Sequence, residues 1–124
     1  MKLNLKDKVA VKGFDVVGFF TAESLKGKKS ISTEYSGATY YFHTEENKKK
    51  FLEDPDNYLP QYGGFCAYGV SQGALVAIVP EAWAIVDGKL YLNVSADVQQ
   101  LWQEDIPGYI SQANQNWPRL ISKN

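Results

Sequence analysis

The chain has 124 residues, 13 Lys+Arg against 14 Asp+Glu, one His and one Cys, giving a formal net charge of -1. A near-neutral, slightly acidic chain lacks the cationic excess that releases counterions from phosphates, so a general nucleic-acid-binding role is not expected, and only a local basic patch could revive it. With 44% hydrophobic, 14% aromatic and 22% charged residues, the composition is that of one folded domain and lies far from the disordered corner.

A single cysteine, Cys66, rules out an intramolecular disulfide and every zinc site of the two- or four-cysteine kind. The longest apolar stretches, Ala74 to Pro80 and Ala82 to Val86, fall far short of the ~20 residues that span a bilayer. Membrane insertion is therefore not expected. The N-terminus, MKLNLKDKVAVKG, is charged where a signal peptide needs its apolar region. A soluble, cytoplasmic chain is the expectation, or a periplasmic one if a presequence has been removed.

In chain order, Phe14 to Phe20 is an apolar run broken by Asp15 and Gly18, suited to a short helix or an extended segment in the core. Lys26 to Ser30 reads as a solvated turn. Ser32–Tyr35 and Ala38–Phe42 flank Ser36-Gly37, a two-residue connection that predicts a hairpin, because glycine tolerates the positive φ of tight turns. Thr44 to Glu53 predicts a helix, with a capping threonine, acids in the first turn and lysines toward the end. Pro55 stops it, and one more turn is expected over Asp56 to Leu59. Residues 61–73 carry four glycines, each costing a helix about 1 kcal/mol against alanine.

Trp83–Val86 and Lys89–Asn93 flank Asp87-Gly88, the strongest hairpin signal in the chain. Ser95 is placed to cap a helix through Trp102, whose Val98, Leu101 and Trp102 share one face. Pro107 is expected to open a last helix in which Tyr109, Ile110, Ala113 and Trp117 form a stripe before Pro118 bends or ends it. The predicted fold is α+β: a small single domain, residues 1–124, with two antiparallel β-hairpins and three or four short helices.

Several stretches resemble a small bacterial family, the YHS-domain proteins, over residues 13–117. Gly13-Phe14-Asp15-Val16-Val17-Gly18-Phe19-Phe20 is similar to the family's opening G-Y-D-P-V-A-Y-F. Glu34 to Phe42, with Glu46-Asn47, Phe51, Pro55 and Tyr58, resembles its hairpin-plus-helix block. Tyr62-Gly63-Gly64-Phe65-Cys66-Ala67-Tyr68-Gly69-Val70 resembles Y-G-G-Y-C-A-x-G-V, and Asp87 to Asn93 its D-G-K-L-Y-L-N strand. The resemblance implies a non-catalytic module that binds or handles a transition metal, copper foremost. The relatives' metal-binding block reads Y-Y-F-C-S-x-x-C-K-K-x-F. In this chain His43 and Asn47 stand in the two cysteine places and Val17 in a third, so a thiolate cage of that design cannot form.

Cys66, His43 and Asp15 are the candidate metal ligands. His43, the only imidazole, excludes every two-histidine site within the chain. If Gly63-Gly64 turns into a helix, Cys66 sits in its first turn, where free N–H groups favour a thiolate; the plain alternative is a small buried core residue. A second reading is a small-molecule or protein-interaction module whose aromatic cleft is lined by Tyr62, Gly63, Gly64, Phe65, Tyr68 and Tyr41. The weakest is a thiol enzyme with Cys66 as nucleophile and His43 as base. P-loop and GxGxxG spacings are missing from the glycine series. Buried tyrosine hydroxyls need partners, so some are expected to face a wet cavity or to meet carboxylates such as Asp15. Tyr40-Tyr41-Phe42 sends rings to both faces of the sheet, so one ring there needs cover from another element or a second subunit, and a homodimer is a secondary expectation.

Overall fold

The computed structural model describes residues 3–122. The first predicted hairpin forms from β3 (Lys28–Tyr35) and β4 (Ala38–Phe42), the second from β5 (Val79–Val86) and β6 (Lys89–Asn93). Their turns place Ser36 (φ 50°) and Gly37 (φ 86°), then Asp87 (φ 52°) and Gly88 (φ 75°), in the left-handed region that suits a two-residue hairpin connection. Lys28–Ser30, expected in a solvated turn, instead starts β3, with a register shift between Lys28 and Ser32. As β3 is an edge strand, its exposed lysines discourage pairing with another chain.

An N-terminal part of the first sheet has no counterpart in the sequence reading. β1 (Leu5–Lys6) pairs antiparallel with β2 (Val9–Ala10), and β2 lies parallel to β4 through Val9 and Thr39, giving the order β1-β2-β4-β3. Asp7 and Lys8, with φ 52° and 70°, form the two-residue turn between β1 and β2, where positive φ is ordinary; Val11 and Lys12, both at φ 52°, adopt it outside a hairpin turn. For Val11, β-branched and buried, that conformation is a true outlier.

Among the described residues there are five α-helices rather than three or four: α1 (Val16–Phe19), α2 (Glu45–Glu53), α3 (Ala67–Ser71), α4 (Ala96–Gln103) and α5 (Ile106–Ser122). The run from Phe14 to Phe20 resolves as the helical alternative. Thr44 and Ser95 cap α2 and α4 as predicted, their hydroxyls accepting from the N–H of Asn47 and Val98 at 3.1 Å each. Pro118 does not end α5, which continues to Ser122. On α4, Trp102 is fully buried but Leu101 points outward at 44% exposure, so the predicted three-residue face is narrower than the spacing implied.

Two packed regions result. One gathers Val16, Val17, Phe19, Tyr40, Phe42, Phe51, Cys66 and Ile78 around the first sheet; the other gathers Tyr62, Val70, Trp102 and Ala113 with the predicted α5 stripe. β6 serves both, with Leu90 and Leu92 in the first and Tyr91 in the second, as strand alternation requires. Phe51 sits against Tyr35, Tyr40 and Phe42 at centroid distances of 5.8, 5.1 and 5.2 Å, fastening α2 to the first hairpin. Burial pushes the Tyr40 hydroxyl up to about 12, so the ring stays neutral. Tyr41, on the opposite face, is half-buried and covered from within the chain: a Cβ on Gly13 would meet its ring at 3.1 Å. The cover expected for that ring does not require a second subunit.

Candidate functional site

Asp15 is wholly buried, where an unpartnered carboxylate would be very costly. Oδ1 accepts from the N–H of Val17 (2.9 Å) and Gly18 (3.2 Å), capping α1; Oδ2 accepts from the His43 N–H and from Asn47 Nδ2, each at 2.8 Å. Four donors from α1, the end of β4 and α2 thus converge on one carboxylate. The tyrosine partner expected for Asp15 is not there. Tyr35 donates to Asp56 instead, at 2.6 Å, and Tyr62 to Asn114 Oδ1, at 2.9 Å.

The structure brings His43 to Asp15 by its backbone N–H, and its imidazole turns elsewhere, with Nδ1 3.2 Å from the Lys26 carbonyl oxygen. Asn47, in the second cysteine place of the family pattern, is the side chain that reaches Asp15. The hydrogen-bonding use of this position was not legible from residue type alone.

Cys66 is the N-cap of α3, at 1% exposure. Its Sγ accepts from the Gly69 N–H and donates to Asn93 Oδ1, both at 3.4 Å, and Asn93 Oδ1 also accepts from the Tyr68 N–H at 3.0 Å. The Tyr68 N–H fixes which end of the amide faces the thiol. Asn93 Nδ2 and Trp102 Nε1 are buried donors with no acceptor among the described residues. With the sulfur covered, thiol reagents should leave Cys66 unmodified in the native protein and label it fully once the protein is unfolded in denaturant. Native labelling as fast as a free thiol's would show the site open.

The metal reading can be tested against these donors. Among the described residues no three side chains of His, Cys, Asp and Glu group so as to hold an ion. Both Asp15 oxygens are filled by N–H donors, the Cys66 sulfur is held by Gly69 and Asn93, and Cys66 has no hydrogen bond to His43 or Asp15. Cys66, His43 and Asp15 do not fit a transition metal, which takes converging, deprotonated ligands. Nor does a Cys66–His43 pair meet the hydrogen-bond geometry of nucleophile and base.

The predicted aromatic cleft divides. Tyr62 and Gly63, with φ 58° and 61°, line a small concavity of about 260 Å³ with Tyr40, Leu59 and Trp117. Phe65 packs on Trp117 and Tyr68 on Tyr109, each partly buried, and neither lines that concavity. Gly64 is a buried, positive-φ glycine whose carbonyl accepts from Asn4 Nδ2.

Tyr41 belongs to a different and larger cleft, of about 690 Å³, on the other face of β4. Its walls are Lys6, Asp7 and Val9 from the N-terminal strands and their turn, Lys12 and Gly13 from the strained turn, and Lys26, Gly27 and Lys29 leading into β3. The chain closes this cleft by pairing residues 13–15 with 25–27: Gly27 N–H donates to Gly13 O and Asp15 N–H to Leu25 O, both at 2.8 Å, with an antiparallel bridge between Phe14 and Lys26. Of these residues only Tyr41 was singled out as pocket-lining from sequence, since lysines without a common spacing give no signal before the chain is folded.

Residues 22–62 match the YHS domain family, about a third of the chain. Within those residues the chain is similar to a YHS domain. The match spans the first hairpin, α2 and the turns up to Tyr62, which form one continuous block in space around Phe51. His43, Tyr41, Lys26 and Lys29 fall inside it; Asp15, Cys66, Lys6 and Lys12 fall outside. No curated protein and no solved structure matches the chain.

Proposed function

We propose that this YHS-domain protein is a non-catalytic binding module that holds a small ligand in the cleft over Tyr41. The observation behind this reading is that Asp15 and Cys66 are used up internally while a cleft of about 690 Å³ is lined by groups that bind. Asp15 and Cys66 act as buried hydrogen-bonding centres, each tying separate elements together. The cleft offers lysine ammonium groups, one tyrosine ring and backbone at two glycines, the mixture of polar anchors and flat surface that fixes a small molecule. Backbone at Lys12, on its wall, is held in the left-handed region outside a hairpin turn, the kind of stored strain that accompanies binding sites.

A thermal-shift screen of a broad collection of water-soluble metabolites tests this, because a ligand that binds only the folded state raises the melting temperature. At least one compound should stabilise the wild type and lose its effect in Tyr41→Ala, with no turnover detected. Stabilisation that survives Tyr41→Ala, or turnover of the bound compound, would overturn the reading. So would a stoichiometric copper ion in chelator-free protein that disappears in Cys66→Ser.

A further inference from the structure

Building on that proposed binding role, we infer that the ligand of the Tyr41 cleft is a small polyanion, bearing phosphate or carboxylate groups, with a flat apolar portion that lies against the Tyr41 ring. Lys6, Lys12, Lys26 and Lys29 come from four separate positions in the first 29 residues and meet around one concavity; a single acid, Asp7, shares the lining. The one ion pair among the described residues is Glu46–Lys50 on α2, so none of these four ammonium groups is neutralised by a carboxylate within 4 Å. A chain of net charge -1 thus concentrates cations at this one cleft. Like charges lining a concavity raise the local potential and draw in counter-charge.

The floor accounts for the flat portion. Gly13 lies beside the Tyr41 ring and Gly27 against the Tyr41 backbone, so neither puts a side chain there, and Val9 adds an apolar edge to the lining. Lysine is a flexible point-charge donor suited to phosphate or carboxylate without fixed bidentate geometry. A cleft of this size takes one small molecule, whereas a nucleic-acid track needs cations extended along a surface. The volume, the ring and the cluster of ammonium groups therefore favour a small ligand over a duplex.

Calorimetric titration with pyrophosphate, citrate and ADP, at low and at high salt, tests the inference on the whole chain. ADP should bind more tightly than pyrophosphate, since only ADP has a flat portion. If citrate matches pyrophosphate, the site reads charge; preference for pyrophosphate assigns it to phosphates. Added salt should weaken all three. The double variant Lys12→Asn/Lys29→Gln should weaken binding at least tenfold; asparagine is chosen because it tolerates the positive φ of Lys12. Lys48→Gln/Lys49→Gln removes the same charge from α2 and should change affinity less than twofold. Equal losses in the two double variants would overturn the inference, as would tighter binding to a DNA duplex through the same lysines. If none of the anions binds but a neutral metabolite does so in a Tyr41-dependent way, the polyanion inference falls and the binding role stands. If nothing binds, both fall.

Discussion

Asp15→Ala should lower the stability of the fold by about 4 kcal/mol, read as a fall in the urea midpoint at unchanged slope. The substitution strands four donors at once: the N–H groups of Val17, Gly18 and His43 and the amide of Asn47. Two lie on α1 beside Asp15 and two come from the β4–α2 junction, so losing the carboxylate removes a buried link between these segments. Against a typical total of about 5–15 kcal/mol for a domain, the variant is left marginal. Asp15→Asn is the informative companion. Its amide nitrogen cannot accept, so two donors stay unmet and about half the loss should remain. A drop below about 1 kcal/mol in Asp15→Ala would show that the network does not hold the fold together.

Gly27→Ala should cost about 3 kcal/mol, the upper range for a forced small-to-large change. The added Cβ would stand 2.5 Å from the Tyr41 carbonyl carbon and 2.6 Å from its oxygen, atoms of the β4 backbone that cannot swing aside as a side chain would. The 25–27 segment must lift off β4, breaking its pairing with residues 13–15 and opening the lysine-lined cleft. Gly37→Ala is the control. Its Cβ meets nothing within 4 Å, but its φ of +86° disfavours any L side chain, so the loss should be about 1 kcal/mol. Equal effects of the two alanines on the urea midpoint would refute the steric account of Gly27.

These residues also mark how far the sequence could be read. Both hairpins were legible because Ser36-Gly37 and Asp87-Gly88 carry their turn chemistry within two residues, and α2 and α4 because Thr44 and Ser95 announce their starts. β1 and β2 are two residues long, too short for any alternation to register, and their place beside β4 depends on Thr39 meeting Lys8 across 31 positions of chain. Asp15 was visible as a polar break in an apolar run, yet its partners are two backbone N–H groups nearby and two donors from the far end of the hairpin, which no spacing rule connects. Cys66 could be read as a helix-start thiol or as a small buried core residue, and it is both a cap and buried; that Asn93 would accept its hydrogen bond depended on how β6 runs past α3. The cleft was hidden for the same reason. Lys6, Lys12, Lys26 and Lys29 become neighbours only once Gly13 and Gly27 have closed over Tyr41.

Leu90, Tyr91 and Leu92 face alternately into the two packed regions, which has a bearing on how the molecule comes apart. A strand this short either keeps its partner or leaves it whole, so neither region can loosen while the other stays shut. Heat or denaturant should therefore dismantle the first-sheet region and the C-terminal helices in one concerted event, with the middle of β6 as the seam through which each half senses the other.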